Sequence, residues 1–209
     1  MYPPNPWGDR RRRFVGLLGG SFNPAHEGHL HISLIALQRI GVDEVWWMVS
    51  PQNPLKPTEG MDPLSERLRA ARCMARHPRI LVTDIETRLR TRYTADTLQK
   101  LRRIYPNTVF VWMMGADNLA QIPRWERWIQ IFRRVPVAVF DRTTYSFRSL
   151  AGKAARRFAR WRIPPHRARR LSSVETPAWT FLHSRLHPAS ATGIRARRGA
   201  VKASSQRES

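Results

Sequence analysis

Apolar residues come along this chain in two rhythms. Short unbroken apolar runs, of the kind that fill interior strands of a parallel sheet, occur at Phe14–Leu18, Glu44–Val49, Ile80–Val82, Thr108–Met113 and Val135–Phe140, with a sixth at Ala178–Leu182. Between them the spacing turns helical. Glu27–Ile40 carries Leu30, Ile32, Leu34, Ile35 and Leu37, and Gly41 reads as its stop. Asp62–Arg76 has a capping residue in Asp62, a proline in its first turn and Glu66 further on. Thr94–Tyr105, Ala116–Ile122, Trp125–Phe132 and Ser190–Arg198 complete the predicted helices. "PQNPLKPTEG", Pro51–Gly60, is a proline-broken loop. Strands alternating with helices predict an α/β fold with a mostly parallel sheet.

In such sheets ligands bind beyond the carboxyl ends of the strands. The first strand runs straight into "GGSFNPAHEGH", Gly19–His29. Glycines there adopt backbone angles that other residues avoid and let a ligand approach the main chain. The helix that follows offers unpaired N–H groups and a positive dipole end. This is phosphate-binding architecture, although the spacing fits neither the Walker loop nor GxGxxG. His26 and His29 are three apart and can face one way at the helix start. Three readings of the pair stay open: a metal site lacking a third ligand, two surface histidines, or two donors aimed at phosphate. Against metal, His31 points elsewhere on helical spacing and no HExxH is present.

Charge sharpens the list of partners. The 209 residues suggest one domain, and 37 lysines and arginines against 15 acids give a formal net charge of +22. That balance favours anionic partners, whether nucleotides, nucleic acid or acidic lipid; a solvated basic surface is the plain alternative. Ser146–Arg170 holds nine of the cations and no acid, and reads as an amphipathic helix, "IPPH" and a second short helix. Phe147, Phe158 and Trp161 are interleaved with the cations, so this segment is the footprint of the rival function class, a nucleic-acid-binding module. Cys73 is the single cysteine, which excludes an intramolecular disulfide and a cysteine zinc site and fits a reducing compartment. "RRRRFVGLL", Arg10–Leu18, superficially resembles a twin-arginine signal, but its apolar stretch is too short and ends in a polar turn. No run approaches the roughly 18 apolar residues of a membrane span. A cytoplasmic protein is expected, with a loose basic arm at residues 1–13, one domain over 14–200 and a polar, frayed tail at 201–209.

Five segments, in order, carry a family resemblance. "GGSFNPAHEGH" resembles the (T/S)xxH/HxGH signature of the nucleotidyltransferases that include the nicotinate and nicotinamide mononucleotide adenylyltransferases. "RYTADTL", Arg92–Leu98, is similar to the (S/T)YTxxTL segment of the bacterial nicotinate enzymes. "GADNL", Gly115–Leu119, and "RWERW", Arg124–Trp128, resemble their adenosine-side and pyridine-side segments. "SATGIR", Ser190–Arg195, resembles their second phosphate motif, SxTxxR. The chain departs from the pattern at Leu55, where a histidine often precedes the lysine, and at Ala191 and Gly193.

The resemblance implies a Rossmann-like doubly wound fold and transfer of AMP from ATP to nicotinate mononucleotide. It implies His26, His29 and Arg195 as catalytic residues. Gly19, Gly20, Ser21, Phe22, Lys56, Gly115, Asp117, Ser190 and Thr192 would meet ATP, with Asp117 on a ribose. Tyr93, Thr94 and Trp125 would hold the mononucleotide, with Trp125 stacked on the pyridine and Thr94 presenting main-chain N–H groups. The plain alternatives are a helix cap for Asp117 and an N-cap for Thr94. Arg142 is a further nucleotide candidate, Trp128 reads as core, and Trp46 and Trp47 as core or sheet surface. Mg²⁺ is expected on the ATP phosphates, with no protein metal site. The preference for the acid over the amide rests on the resemblance alone. The sequence leaves room for a homo-oligomer.

Overall fold

The computed structural model describes residues 4–51, 60–141 and 146–183, with the side chains of Ser146 and Phe147 excepted. In chain order its elements are β1 (Arg13–Gly20), α1 (Glu27–Ile35) running into a π turn at Ala36–Ile40, β2 (Glu44–Val49), α2 (Leu64–Met74) and β3 (Ile80–Thr83). Then come α3 (Ile85–Arg88), α4 (Thr94–Ile104), β4 (Thr108–Gly115), α5 (Ala116–Gln121), α6 (Trp128–Arg134) and β5 (Val137–Phe140). The described part ends with α7 (Ser146–Leu150), α8 (Lys153–Arg157), β6 (Arg162–Ile163), a 3₁₀ stretch at Pro165–Ser172 and β7 (Trp179–Leu182). The predicted helix Ser190–Arg198 and the tail at 201–209 lie outside the described residues.

The strands form one sheet in the order β3-β2-β1-β4-β5-β7-β6. Every recorded pairing is parallel. The expected Rossmann-like α/β architecture is present, and all-parallel where mostly parallel was expected. Chain order runs outward from the β1/β4 boundary as β1-β2-β3 on one side and β4-β5-β7 on the other, with β6 added at the outer edge, so that boundary is the topological switch point where such sheets leave a crevice.

The strands alternate between two buried faces. Val15, Leu17, Trp46, Met48, Phe110 and Trp112 point into the layer filled by α3–α6 and α8. Phe14, Leu18, Val45, Trp47, Val111 and Met113 point into the layer filled by α1 and α2. Burial on both faces explains why the strands read as continuous apolar runs. It also settles Trp46 and Trp47 as core, both fully buried on opposite sides of β2. Trp128 is core as well, edge-on to Phe132 and Phe158. Gly41 is the predicted stop, left-handed at φ 80° and closing the π turn.

Several boundaries move. β1 and β4 extend into their terminal glycines, because Gly19 and Gly20 go on pairing with β2 and Gly115 pairs with β5 after the β1–β4 ladder has ended at Leu18 and Met113. β5 begins at Val137 and β7 at Trp179, two residues and one residue later than predicted, since Val135 caps α6 and Ala178 precedes the ladder. Asp62 does not cap α2; Pro63 holds the N-cap position, and the Asp62 carbonyl accepts a hydrogen bond from Arg67 Nε at 2.8 Å. Arg127, left-handed at φ 51°, separates Trp125 from α6, which starts at Trp128. α3 and β6 carry no signal of their own, being four and two residues long.

Both ends of the predicted basic character find structural partners. Residues 1–13, expected as a loose arm, are tied through Asn5 and Arg10 to the turn between α4 and β4, and through Arg13 to the first residue of β2. Tyr105 donates its hydroxyl to the Asn5 carbonyl, Asn107 donates to the Arg10 carbonyl at 2.7 Å, and Arg13 pairs with Glu44 at 2.6 Å. The basic segment straddles the sheet edge. Phe158 packs into one layer and Ala168 and Leu171 into the other, while β6 pairs with β7. Gly152 interrupts its expected first helix between α7 and α8. Its described cations are exposed, and charges beside a sheet edge oppose strand-to-strand aggregation.

Candidate functional site

The loop after β1 closes on itself through two imidazoles. His26 is the N-cap of α1 and is 3% exposed; its Nδ1 accepts the backbone N–H of Gly28 at 3.1 Å. His29 reaches back, and its Nδ1 accepts the backbone N–H of His26 at 3.2 Å. Both are thus members of a capping box in which imidazoles replace the usual hydroxyl and carboxylate. A ring nitrogen that accepts has no proton, so the proton of each neutral ring sits on Nε2. The rings lie with centroids 3.9 Å apart. Two Nε2–H donors at one helix start, with the dipole behind them, form a group suited to an anion.

The rings are held from below. Phe22, 2% exposed, lies 4.6 Å from the His29 ring and 5.3 Å from Trp47. Ser33 ties the same corner together, donating to the His29 carbonyl at 2.8 Å and accepting from Trp47 Nε1 at 2.8 Å. The aromatic side chain of Phe22 is therefore occupied in packing, which leaves its backbone for a ligand. Phe22 is also the left-handed residue of the turn, at φ 48°. Gly19 and Gly20, expected to supply that geometry, are instead extended strand residues without positive φ. Gly19 is needed for another reason: a Cβ there would stand 2.5 Å from Trp112 Cη2.

Across the switch point, β4 ends at Gly115, the N-cap of α5. Asp117 is the second residue of that helix, and no side chain caps it, so the capping alternative for Asp117 falls away. Tyr93 is the N-cap of α4, which puts Thr94 at the first helical position rather than at the cap. Arg127 joins this helix start to the Trp125 segment, pairing with Asp96 at 2.6 Å and lying 6.0 Å from the Tyr93 ring. Trp125 is half-buried and edge-on to Trp112 at 6.3 Å, and Trp112 in turn covers Gly19. The structure thus brings the expected mononucleotide segments together and links them to the end of β1. Lys56, Arg142, Ser190, Thr192 and Arg195 lie outside the described residues.

Two residues of this region escaped sequence reading. Arg67 of α2 is 3% exposed and donates to four backbone carbonyls: Ser21 and Ser50 at 2.7 Å, Asp62 at 2.8 Å and Pro51 at 3.0 Å. It fastens the turn after β1 to the end of β2 and to the residues that bracket segment 52–59. Glu86 of α3 is 7% exposed, and burial pushes its carboxyl up to about 7. In a chain this rich in arginine, and with two charges on a helix, neither residue stands out from its neighbours.

Phe158, counted among the bases' stacking partners in the nucleic-acid reading, is 2% exposed and stacked on Phe132 at 4.3 Å, so it has no free face. Trp161 is partly buried against the same cluster, with Arg160 4.0 Å over its ring. Among the described residues no helix is long and apolar enough to cross a membrane, and no group of three or more His, Cys, Asp or Glu could hold a metal ion.

The cytidylyltransferase-like family model matches residues 17–197. A protein from a strain of Cereibacter sphaeroides, named probable nicotinate-nucleotide adenylyltransferase, is 55% identical over 182 residues, 87% of this chain and 96% of its own length. One of the same name from Ruegeria pomeroyi is 50% identical over 190 residues, 91% of this chain and 89% of its own. The Plasmodium falciparum nicotinic acid mononucleotide adenylyltransferase, solved in complex with NaAD, superposes with a TM-score of 0.67 at 14% identity, covering 88% of this chain and 83% of its own, a likeness of fold. The chain belongs to the cytidylyltransferase-like nucleotidyltransferases and, within them, to the nicotinate-nucleotide adenylyltransferases.

Proposed function

We propose that this protein transfers AMP from ATP to nicotinate mononucleotide, releasing pyrophosphate and forming nicotinate adenine dinucleotide for NAD biosynthesis. The observation that carries the reading is the paired-imidazole cap at the switch point, set opposite the α4–Trp125 corner. The nucleophile is a phosphate oxygen of the mononucleotide, already ionised at neutral pH, so the reaction needs no general base. It attacks the α-phosphorus of ATP in line; the new P–O bond forms as the bond to the β-phosphate bridging oxygen breaks, and pyrophosphate departs. What such a reaction needs is alignment and donors around the charge that develops.

The Nε2–H groups of His26 and His29 and the backbone of Gly20–Phe22 are the donors for the triphosphate; in the first turn of α1 the N–H groups of Gly28 and His29 are already taken, by His26 Nδ1 and the His26 carbonyl. Lys56 and Arg195, with Ser190 and Thr192, are assigned to the same phosphates by motif. Asp117 is assigned to a ribose. Trp125 faces the pyridine, and the start of α4 at Tyr93 and Thr94 offers N–H groups to the nicotinate carboxylate. The donor set is imidazole and amide rather than carboxylate, which suits a Mg²⁺ that arrives on the ATP phosphates with its waters. That ion neutralises phosphate charge. Work in the cytoplasm follows from the substrates.

Initial rates of pyrophosphate release with ATP and each of the two mononucleotides test the proposal. Faster turnover of the acid at equal concentration supports it. Turnover of the amide alone, or of neither, refutes it.

A further inference from the structure

Glu86 lies directly after β3, at the carboxyl edge of the sheet, and the site described so far makes no use of it. Its carboxyl is nearly sealed from solvent and lies 3.4 Å from the hydroxyl of Thr97 in α4, whose one proton it shares with the Tyr93 carbonyl. The Ser50 hydroxyl at the end of β2 also bonds it. Thr97 is bound to the Thr91 hydroxyl at 2.9 Å and to the Tyr93 carbonyl at 3.2 Å. The Glu86 carbonyl accepts the Thr91 N–H at 3.0 Å. Side chain and main chain of this one residue therefore hold the turn that delivers Tyr93 and Thr94, and the carboxyl touches the first turn of α4 itself.

Charged groups on the surrounding elements have partners other than Glu86; in the turn itself, Arg92 lies 5.7 Å over the Tyr93 ring. On α3 and the residue before it, Asp84 pairs with Arg88 at 2.8 Å. On α4, Asp96 pairs with Arg127 at 2.6 Å, and Lys100 donates to the Leu89 carbonyl at 2.8 Å. From α6, Arg134 donates to the Ala95 carbonyl at 2.8 Å. From α2, Arg67 reaches the Ser50 carbonyl, not the Glu86 carboxyl. No cation is within ion-pair distance of Glu86 among the described residues, so only two hydroxyls support its charged form. Burial outweighs them and pushes the group up to about 7.

We propose that Glu86 is a positioning residue that sets the preference for an acidic over a neutral pyridine substituent through the start of α4. The inference rests on the reading that this helix start receives the nicotinate carboxylate. With Glu86 neutral, the positive end of α4 is left for the substrate's negative charge. With Glu86 ionised, a fixed negative charge sits beside the same turn and competes for it. The coupling is reciprocal: a bound carboxylate raises the proton affinity of Glu86 as much as the proton favours the carboxylate. A neutral amide at that position feels neither effect.

The test is the ratio of kcat/KM for nicotinate mononucleotide to that for nicotinamide mononucleotide, on the full chain at saturating ATP and Mg²⁺, from pH 6 to pH 9. An amide that is not turned over serves as a competitive inhibitor, and its inhibition constant replaces its KM. The ratio cancels titration of the phosphate, which both mononucleotides carry. In the wild type it falls by about fivefold or more as pH rises; in Glu86→Gln it stays level. Thr97→Val keeps the carboxyl but removes a hydroxyl that favours its charged form, so the fall moves to higher pH; this arm stands even where Glu86→Gln fails to fold. A ratio that is level in the wild type, or that falls equally in Glu86→Gln, or a midpoint unmoved in Thr97→Val, overturns the inference. Absence of turnover with nicotinate mononucleotide at every pH overturns the underlying reading instead, which a level ratio with good turnover does not.

Discussion

His29 accepts, through Nδ1, the backbone N–H of His26, while Nδ1 of His26 accepts the N–H of Gly28. Each ring is therefore both a helix cap and an Nε2–H donor, and the two roles separate by substitution. Asparagine is as good an N-cap as any residue. His26→Asn is expected to melt within a few degrees of the wild type yet lose turnover, whereas His26→Ala loses about 1 kcal/mol of stability as well. For His29→Ala, turnover drops about 100- to 1000-fold, the scale of one lost transition-state donor. Steady-state rates and thermal melts on the three variants check this; wild-type turnover in His29→Ala removes that residue from the chemistry.

Arg67 and Ser21 are joined across 46 residues by one of four carbonyl contacts. A lysine has the charge but not the fork, and it leaves some of those buried carbonyls without a donor. Arg67→Lys should cost about 1–3 kcal/mol, the range for orphaned buried polar groups, read as a lower urea midpoint at an unchanged slope. A midpoint equal to the wild type's would mean that water replaces the clamp.

Gly19 and Trp112 share one volume. A Cβ at Gly19 would stand 2.5 Å from Trp112 Cη2 and 3.2 Å from Cζ2, so Gly19→Ala overpacks the strand by about 1–3 kcal/mol. Shortening the opposing ring relieves the clash, and the double variant Gly19→Ala/Trp112→Leu should lose less than the sum of the singles. Additive losses in a double-mutant cycle would show that no contact couples the two positions.

Glu86 also makes stability depend on pH, with a defined sign. Its folded value of about 7 lies above the ordinary 4.5 of a glutamate, so the folded chain binds the extra proton between those values. Stability from this group is full below pH 4.5 and is lost as pH rises through 7, after which it stays low. Glu86→Gln cannot ionise, and relative to the wild type it gains as pH goes from 5 to 8, by up to about 3 kcal/mol. Parallel denaturation curves at the two pH values check it; a constant difference between the proteins would place the titration elsewhere.

The sequence by itself determined the α/β class, the turn with its paired histidines after the first strand, and the family. Those features are local: an apolar run, a glycine pair, two histidines at helical spacing, and short motifs whose order along the chain is itself the signal. Trp128 reads as core for the same reason, since one turn of helix fixes its face. What only the tertiary structure decided involves partners far apart in sequence. Gly19 is a glycine because Trp112, 93 residues on, covers it, not because the turn needs positive φ; that angle falls on Phe22. The basic segment covers a sheet edge, which no charge count distinguishes from a nucleic-acid face. Arg67 and Glu86 look like two more surface charges on short helices until the strand ends fold over them. Burial is a property of the packed chain, and it is burial that turns an arginine into a carbonyl clamp and a glutamate into a group that keeps its proton up to about pH 7.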